Sequence, residues 1–246
     1  MMRGYGQLTR MLLKSLLREP VGFFFLIIFS PALFLMLGLI FGNTAAPEFG
    51  GRGFIDNMVP GIVIMSILIV GTSVVPQNQL GLRTSGACTR LRMTPLKPST
   101  YVAADMTVNA AVGMIGPILT IILSMLVFDV EPPQHWLSLI AVLVLGMVAM
   151  LGLGYALAMI FPSLAAATGV GNMLMILLML TSGAFVPVAA LSESVQRAFE
   201  FSPSYHFARL VSQAWQAESL SVSSLLVLVG VAVGFSALAL VLTRRR

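Results

Sequence analysis

The chain has 246 residues, 58% of them hydrophobic and only 9% charged, with a net charge of +5 and a mean hydropathy of +0.97. Soluble domains carry roughly 25% charged residues, so this chain lacks the polar residues to cover a water-facing surface. Composition excludes a soluble domain and points to a polytopic membrane protein.

A bilayer core takes about 20 apolar residues of helix to cross. Six stretches meet that length: 21–42, 58–80, 101–128, 136–161, 164–187 and 221–243. Runs such as LSLIAVLVLGMVAML (137–151) are apolar on every side, whereas the strands of a membrane barrel alternate in polarity. The expected fold is therefore an all-α polytopic membrane protein, one transmembrane domain over 1–246.

The N-terminal segment YGQLTRMLLKSLLRE (5–19) puts Arg10, Lys14 and Arg18 on one helical face and Leu8, Met11, Leu12, Leu13, Leu16 and Leu17 on the rest. That pattern predicts an amphipathic helix over 1–20 lying in the plane of the membrane interface, with cations at the headgroups. A charged start to a tilted first span is the alternative. Pro20 ends or kinks this helix, because proline lacks the backbone donor and clashes with the preceding turn. The apolar run that follows exceeds the roughly 7–15 residues of a signal-peptide core, so cleavage near NTAA (43–46) is not expected.

Orientation follows from loop cations, which accumulate on the cytoplasmic side. With six spans, Arg3, Arg10, Lys14, Arg18, Arg83, Arg90, Arg92, Lys97 and Arg244, Arg245 and Arg246 share one side, against Arg52, Arg197 and Arg209 on the other. Eleven against three puts both termini in the cytoplasm. The positive charge follows from this topology and is no sign of nucleic-acid binding.

Span two ends in PQNQ (76–79), and Gln77, Asn78 and Gln79 are candidates to line a pathway or to pack through hydrogen bonds. Between spans two and three lies a basic loop over 81–100, with TRLRMTPLKPSTY (89–101) at its end. Span three carries Asp105 and Asn109 four residues apart, hence on one face. Asp105 reads either as an interfacial carboxylate reaching water or as a paired residue within the bundle, since charge at depth is costly. Lone His135 and His206 read as interfacial.

DVEPPQHW (129–136) is a tight outer turn with Trp136 as an interface anchor. Pro162 breaks the helical run, so spans four and five form a hairpin. In span five, Ala165 with Gly169 and Ala167 with Gly171 are small pairs four apart, which allow close helix approach either within the chain or at a subunit interface. Asn172, in mid-span, needs a hydrogen-bond partner there. Residues 188–219 are too polar to span and predict two short outer helices broken at Ser202-Pro203, with Tyr205 and Trp215 at the interface. Span six stops at Arg244, Arg245 and Arg246.

The sequence has no G-x-x-x-x-G-K-[ST] phosphate loop, no H-E-x-x-H, and a single cysteine, Cys88. A Ser–His intramembrane protease is unsupported, since TSGA (181–184) has no histidine partner in a neighbouring span. A membrane-bound enzyme is thus disfavoured. A stand-alone secondary transporter or channel stays open, but such proteins pair charges at the midplane and carry internal repeats, and no clear repeat is found.

Three features together carry a resemblance: the basic helix before span one, RLRMTPLKPS after span two, and LTSGAFVPVAALSESVQRAFEFSPSYHFARLV after span five. The chain resembles the type-2 ABC transporter permeases, and within them the daunorubicin-resistance-like drug-efflux branch. The last segment is similar to the family's SG-x-x-[FY]-P outer stretch, with Ser202-Pro203 where Asn-Pro is usual, and RTSGAC (83–88) stands where the loop commonly has E-x-G.

The resemblance implies a non-catalytic permease in the inner membrane of a bacterium. Two permease chains pair, and each rests on a separate ATPase subunit that binds ATP and Mg; this chain binds no cofactor itself. A coupling helix within 81–94 docks on the ATPase, with Arg83, Arg90, Leu91, Arg92, Thr94 and Pro95 as the contact residues, and the short outer segments are re-entrant. Its cargo is a hydrophobic or amphipathic molecule such as a drug, antibiotic or lipid, with a polysaccharide or other envelope component as the alternative.

Overall fold

The computed structural model describes residues 2–44, 53–86, 98–186, 188 and 191–244. It is all-helical. Among the described residues, six helices are long and apolar enough to cross a membrane: Phe24–Phe41, Phe54–Thr84, Thr100–Val127, Trp136–Ile160, Leu164–Thr181 and Val222–Leu242, here spans one to six. Three further helices matter: α1 (Met2–Leu17) before span one, and α2 (Glu193–Phe199) and α3 (Pro203–Trp215) between spans five and six. We call the end of the bundle that carries α1 the base and the opposite end the crown.

Span two is the central post, with 89% of its most apolar window buried, against 22% for span five and 17% for span six. The outer spans thus present long apolar faces (Leu126, Leu137, Ile176 and Leu226 among them) that only lipid or another apolar surface can cover.

Spans one and two each contain a widened, π-helical turn, Phe24–Ile28 and Val70–Val74. Each lies just before a proline, Pro31 and Pro76. A helical proline cannot donate to the carbonyl four residues back and collides with it, and residues 27 and 72 sit inside the two wide turns. The widened turn makes room for the ring. Around the second, three glycines permit backbone contact: a methyl group on Gly171 would strike the Thr72 carbonyl, one on Gly154 the Gly71 carbonyl, and one on Gly71 the Met150 carbonyl. Spans two, four and five therefore cross at close range.

Several boundaries differ from those the sequence predicts. The span-two helix runs on to Thr84, so residues 81–84 extend it rather than opening a loop. Span three's helix starts at Pro98, inside the stretch expected as the 81–100 loop; proline suits that position, where its missing N–H costs nothing. Span five stops at Thr181, short of 187, because Gly183 takes a left-handed φ of 78°. Ser163, just after Pro162, caps span five by accepting from the Ala166 N–H at 3.2 Å.

The amphipathic helix α1 lies against the start of span three. Leu8 and Leu16 are buried, Leu8 beside Tyr101 and Ala104, while Met11, Leu13 and Leu17 remain exposed. The Tyr5 hydroxyl meets the Thr107 hydroxyl at 2.8 Å. The apolar face of α1 is therefore split between the bundle and the exterior. Pro20 opens the next helical segment, as its chemistry predicts.

Candidate functional site

At the crown, the stretch after span five folds back into the bundle. Phe207 of α3 is fully buried against span four, where Gly146 leaves room for its ring. Trp215, expected at the interface, is instead 8% exposed, and its Nε1 donates to the Glu131 carbonyl at 2.8 Å. The Gln134 N–H returns a bond to the Trp215 carbonyl at 3.0 Å, so α3 is stitched to the turn between spans three and four. His206 is likewise buried rather than interfacial. One ring nitrogen lies 3.0 Å from the Ser224 hydroxyl and the other 2.8 Å from the Glu200 carbonyl. Both corrections share one cause: burying these amphipathic rings is favourable once each polar atom has a partner. Tyr205 stays half-exposed.

Asn43 and Asp56 form a second crown latch. The Asn43 Nδ2 donates to the Asp56 carboxylate at 3.1 Å, and the Asp56 N–H donates to Asn43 Oδ1 at 3.3 Å. Thr181, Ser202 and Ser204 form a three-hydroxyl cluster that ties span five to α3. A cavity of about 420 Å³ beside α3 is lined by groups of both signs, Glu200, Arg209 and Glu218 among them.

At the base, the sequence candidates converge. Asp105 is 5% exposed and accepts from Gln79 Nε2 at 2.9 Å and from the Tyr155 hydroxyl. The cluster joins spans two, three and four. Asp105 is thus hydrogen-bonded within the bundle, at the wall of a cleft. Asn109, one turn on, donates from Nδ2 to the Asp105 backbone carbonyl at 2.9 Å. Its Oδ1 is buried without a partner.

Two adjoining clefts open beside this cluster. One, of about 360 Å³, is lined by Asp105, Asn109, Gln77, Asn78, Glu19, Tyr101 and the apolar Leu12, Val108 and Leu164. The other, of about 400 Å³, is more apolar, with Phe25, Ile69, Val74, Met175 and Ile176 beside Ser73 and Asn172. Leu16, Glu19, Gln77 and Asn78 wall both. Asn172 finds its partner here, accepting from the Ser73 hydroxyl at 3.4 Å. Of the polar candidates, Gln77, Asn78, Asp105, Asn109 and Asn172 thus face this pair of clefts, with Gln79 behind them. Glu19, Tyr101, Ser73 and Tyr155 were not singled out from sequence.

The small pairs of span five divide. Ala167 and Gly171 are buried, Gly171 against span two, whereas Ala165 and Gly169 face outward with open space beside Gly169. Arg83 turns onto its own chain: Nη1 donates to the Ala158 carbonyl at 3.0 Å and Nη2 points at the Met159 sulfur. A guanidinium there meets the negative end of the span-four helix. The other coupling candidates, Arg90, Leu91, Arg92, Thr94 and Pro95, lie outside the described residues.

Among known proteins, the chain is 25% identical over 152 residues to a protein of Bacillus subtilis (strain 168) named "Putative transport permease YvfS". The alignment takes in 61% of this chain and spans 58% of that relative's length. The family model described as "ABC-2 type transporter" matches residues 4–215, from α1 through the end of α3. Six apolar spans, the folded-back segment between spans five and six and this match lead to one conclusion: the chain belongs to the ABC-2 type transporter family.

Proposed function

We propose that the chain is the membrane subunit of an ATP-driven exporter of the drug-efflux branch, moving a hydrophobic or amphipathic molecule out of a bacterial cell. The observation that carries this reading is the family match over 4–215, which implies an ATPase partner. The base, with α1 and the end of span six, faces the cytoplasm of the inner membrane, an orientation that the eleven-to-three distribution of loop cations supports. Two copies pair through the outward faces of the spans, where Ala165 and Gly169 permit close approach.

Each copy rests on a nucleotide-binding subunit that holds ATP and Mg. The loop after Thr84 carries the coupling contacts Arg90, Leu91, Arg92, Thr94 and Pro95. The paired base clefts receive cargo from the inner leaflet or cytoplasm. Closure of the ATPase pair pushes on the loop, and the push reaches span two directly, since the span-two helix continues without a break from the widened turn to Thr84.

The test is co-expression with an ATPase that carries a phosphate loop, followed by transport in inverted vesicles. ATP-dependent uptake of a fluorescent amphiphile is expected. Leu91→Glu lowers uptake at least tenfold while ATP hydrolysis by the partner persists. Failure of any ATPase to co-purify, or uptake driven by an ion gradient without ATP, overturns the reading. Unchanged uptake in Leu91→Glu overturns the coupling assignment.

A further inference from the structure

The base clefts carry an electrostatic signature that packing alone does not explain. Their lining includes two carboxylates, Glu19 and Asp105, and, among the described residues, no Lys, Arg or His. The chain as a whole has 14 basic against 9 acidic residues, so an acid-only cleft runs against its average. Asn109 adds an independent sign. It is 2% exposed, it lines the polar cleft, and its Oδ1 accepts nothing. A buried carbonyl oxygen left unpaired costs roughly 1–3 kcal/mol, and native structures rarely keep such a group without a reason.

We infer that the paired clefts bind an amphipathic ammonium ion. Its N–H groups supply the donor that Asn109 Oδ1 lacks, and Asp105 and Glu19 supply the countercharge. The hydrocarbon part lies in the neighbouring apolar cleft, along Phe25, Val74 and Ile176. The two chambers share Glu19, Gln77 and Asn78, so a single molecule with a charged head and an apolar tail reaches both. At roughly 30 Å³ per water, the polar chamber holds about a dozen waters, which is room for a headgroup. An anion finds no positive partner among the described residues of this lining. A bare metal ion would leave the apolar chamber without use, and the described residues hold no group of three metal-ligating side chains. The ammonium comes from one of two sources, a phosphatidylethanolamine headgroup or a free amphipathic amine.

That the bound amine is cargo rests on the exporter reading; that it binds does not. Binding is therefore measured on the whole chain in phosphatidylcholine nanodiscs without an ATPase. The probes are radiolabelled dodecylamine and dodecanol, read by scintillation proximity against empty nanodiscs. Saturable amine binding, at least tenfold tighter than the alcohol, is expected. Asn109→Leu removes the orphan acceptor and weakens amine binding at least fivefold without altering the alcohol.

Glu19→Gln, at an exposed position that leaves folding intact, weakens amine binding about threefold. Glu193→Gln, at the crown, changes nothing. A loss in either folded variant supports the site. Equal affinity for amine and alcohol, or amine affinity that neither variant lowers, overturns it.

Replacing part of the lipid with phosphatidylethanolamine separates the sources. Competition assigns the site to the lipid headgroup, and undiminished amine binding assigns it to free amines. Lost binding with intact ATP-coupled transport removes this site alone. Lost coupling with intact binding removes the exporter reading alone.

Discussion

The two ends of the bundle handle polar groups in opposite ways. At the crown, buried polar atoms are used up by structure: Trp215 donates to Glu131, both His206 nitrogens are engaged, and Asn43 and Asp56 bond each other twice. At the base, Asp105 is held by Tyr155 and Gln79, yet Asn109 keeps an unpaired oxygen beside clefts whose charged groups, among the described residues, are all acidic. Between apolar walls a polar group without a partner is expensive. The crown therefore reads as a set of clamps, and the base as a site that trades stability for a ligand. If that contrast is right, substitutions at the crown act mainly on folding, and those at the base divide between folding and binding.

The largest effect tests the crown. Trp215→Ala empties a buried site and removes the indole donor to Glu131, so it destabilises by about 3–5 kcal/mol. Thermal unfolding in detergent reads this as a large fall in Tm. Trp215→Phe keeps most of the ring packing and loses one hydrogen bond, about 1 kcal/mol. Equal losses in the two variants would show that α3 is held by the bond rather than by its seat in the bundle.

Next comes Asp105, where the base does carry structure. Asp105→Leu leaves the Gln79 amide and the Tyr155 hydroxyl buried without their acceptor and costs about 2 kcal/mol or more. Asp105→Asn keeps an acceptor oxygen in place and loses less than half of that, while removing the countercharge. Unfolding midpoints of the pair, measured alongside dodecylamine affinity, separate the two roles. Asn that is stable yet binds the amine poorly sharpens the contrast between the ends. Leu and Asn that are equally stable would break it, since Asp105 would then clamp nothing.

How much of this was legible depends on which signal each feature leaves. The six spans follow from length and hydropathy, and each appears within a few residues of its expected place apart from the early stop of span five. Asp105 and Asn109 were readable as one face because four-residue spacing fixes it. Tyr155 was not: span four is apolar all round, so a lone tyrosine in it marks no face and names no partner. The wide turns before Pro31 and Pro76 leave no unique sequence signal, because a helical proline can also be met by a kink. Trp215 carries the sequence signal of an interface aromatic, and only the tertiary packing of α3 buries it. Glu19 gave no signal, as its place beside Gln77 arises from how α1 and span one meet the bundle.

The smallest effect concerns Arg83, where sequence and structure assign different tasks. The family resemblance makes Arg83 one of the contact residues on an ATPase. The structure turns its guanidinium onto the Ala158 carbonyl at the end of span four. A cation at a helix C-terminus contributes about 0.3–1 kcal/mol, so Arg83→Gln lowers the Tm of the isolated chain slightly. Affinity for the ATPase, measured by titration of the purified subunit, should change less than twofold. Arg83→Lys keeps the charge but loses the planar fork that reaches both Ala158 and Met159, and it falls between wild type and Gln in stability. A loss of ATPase affinity of tenfold or more with an unchanged Tm would hand Arg83 back to the partner. It would also show that the guanidinium either leaves the Ala158 carbonyl on docking or shares its five N–H donors with the partner. The pair of measurements thus decides whether the base is built before the ATPase arrives or is completed by it.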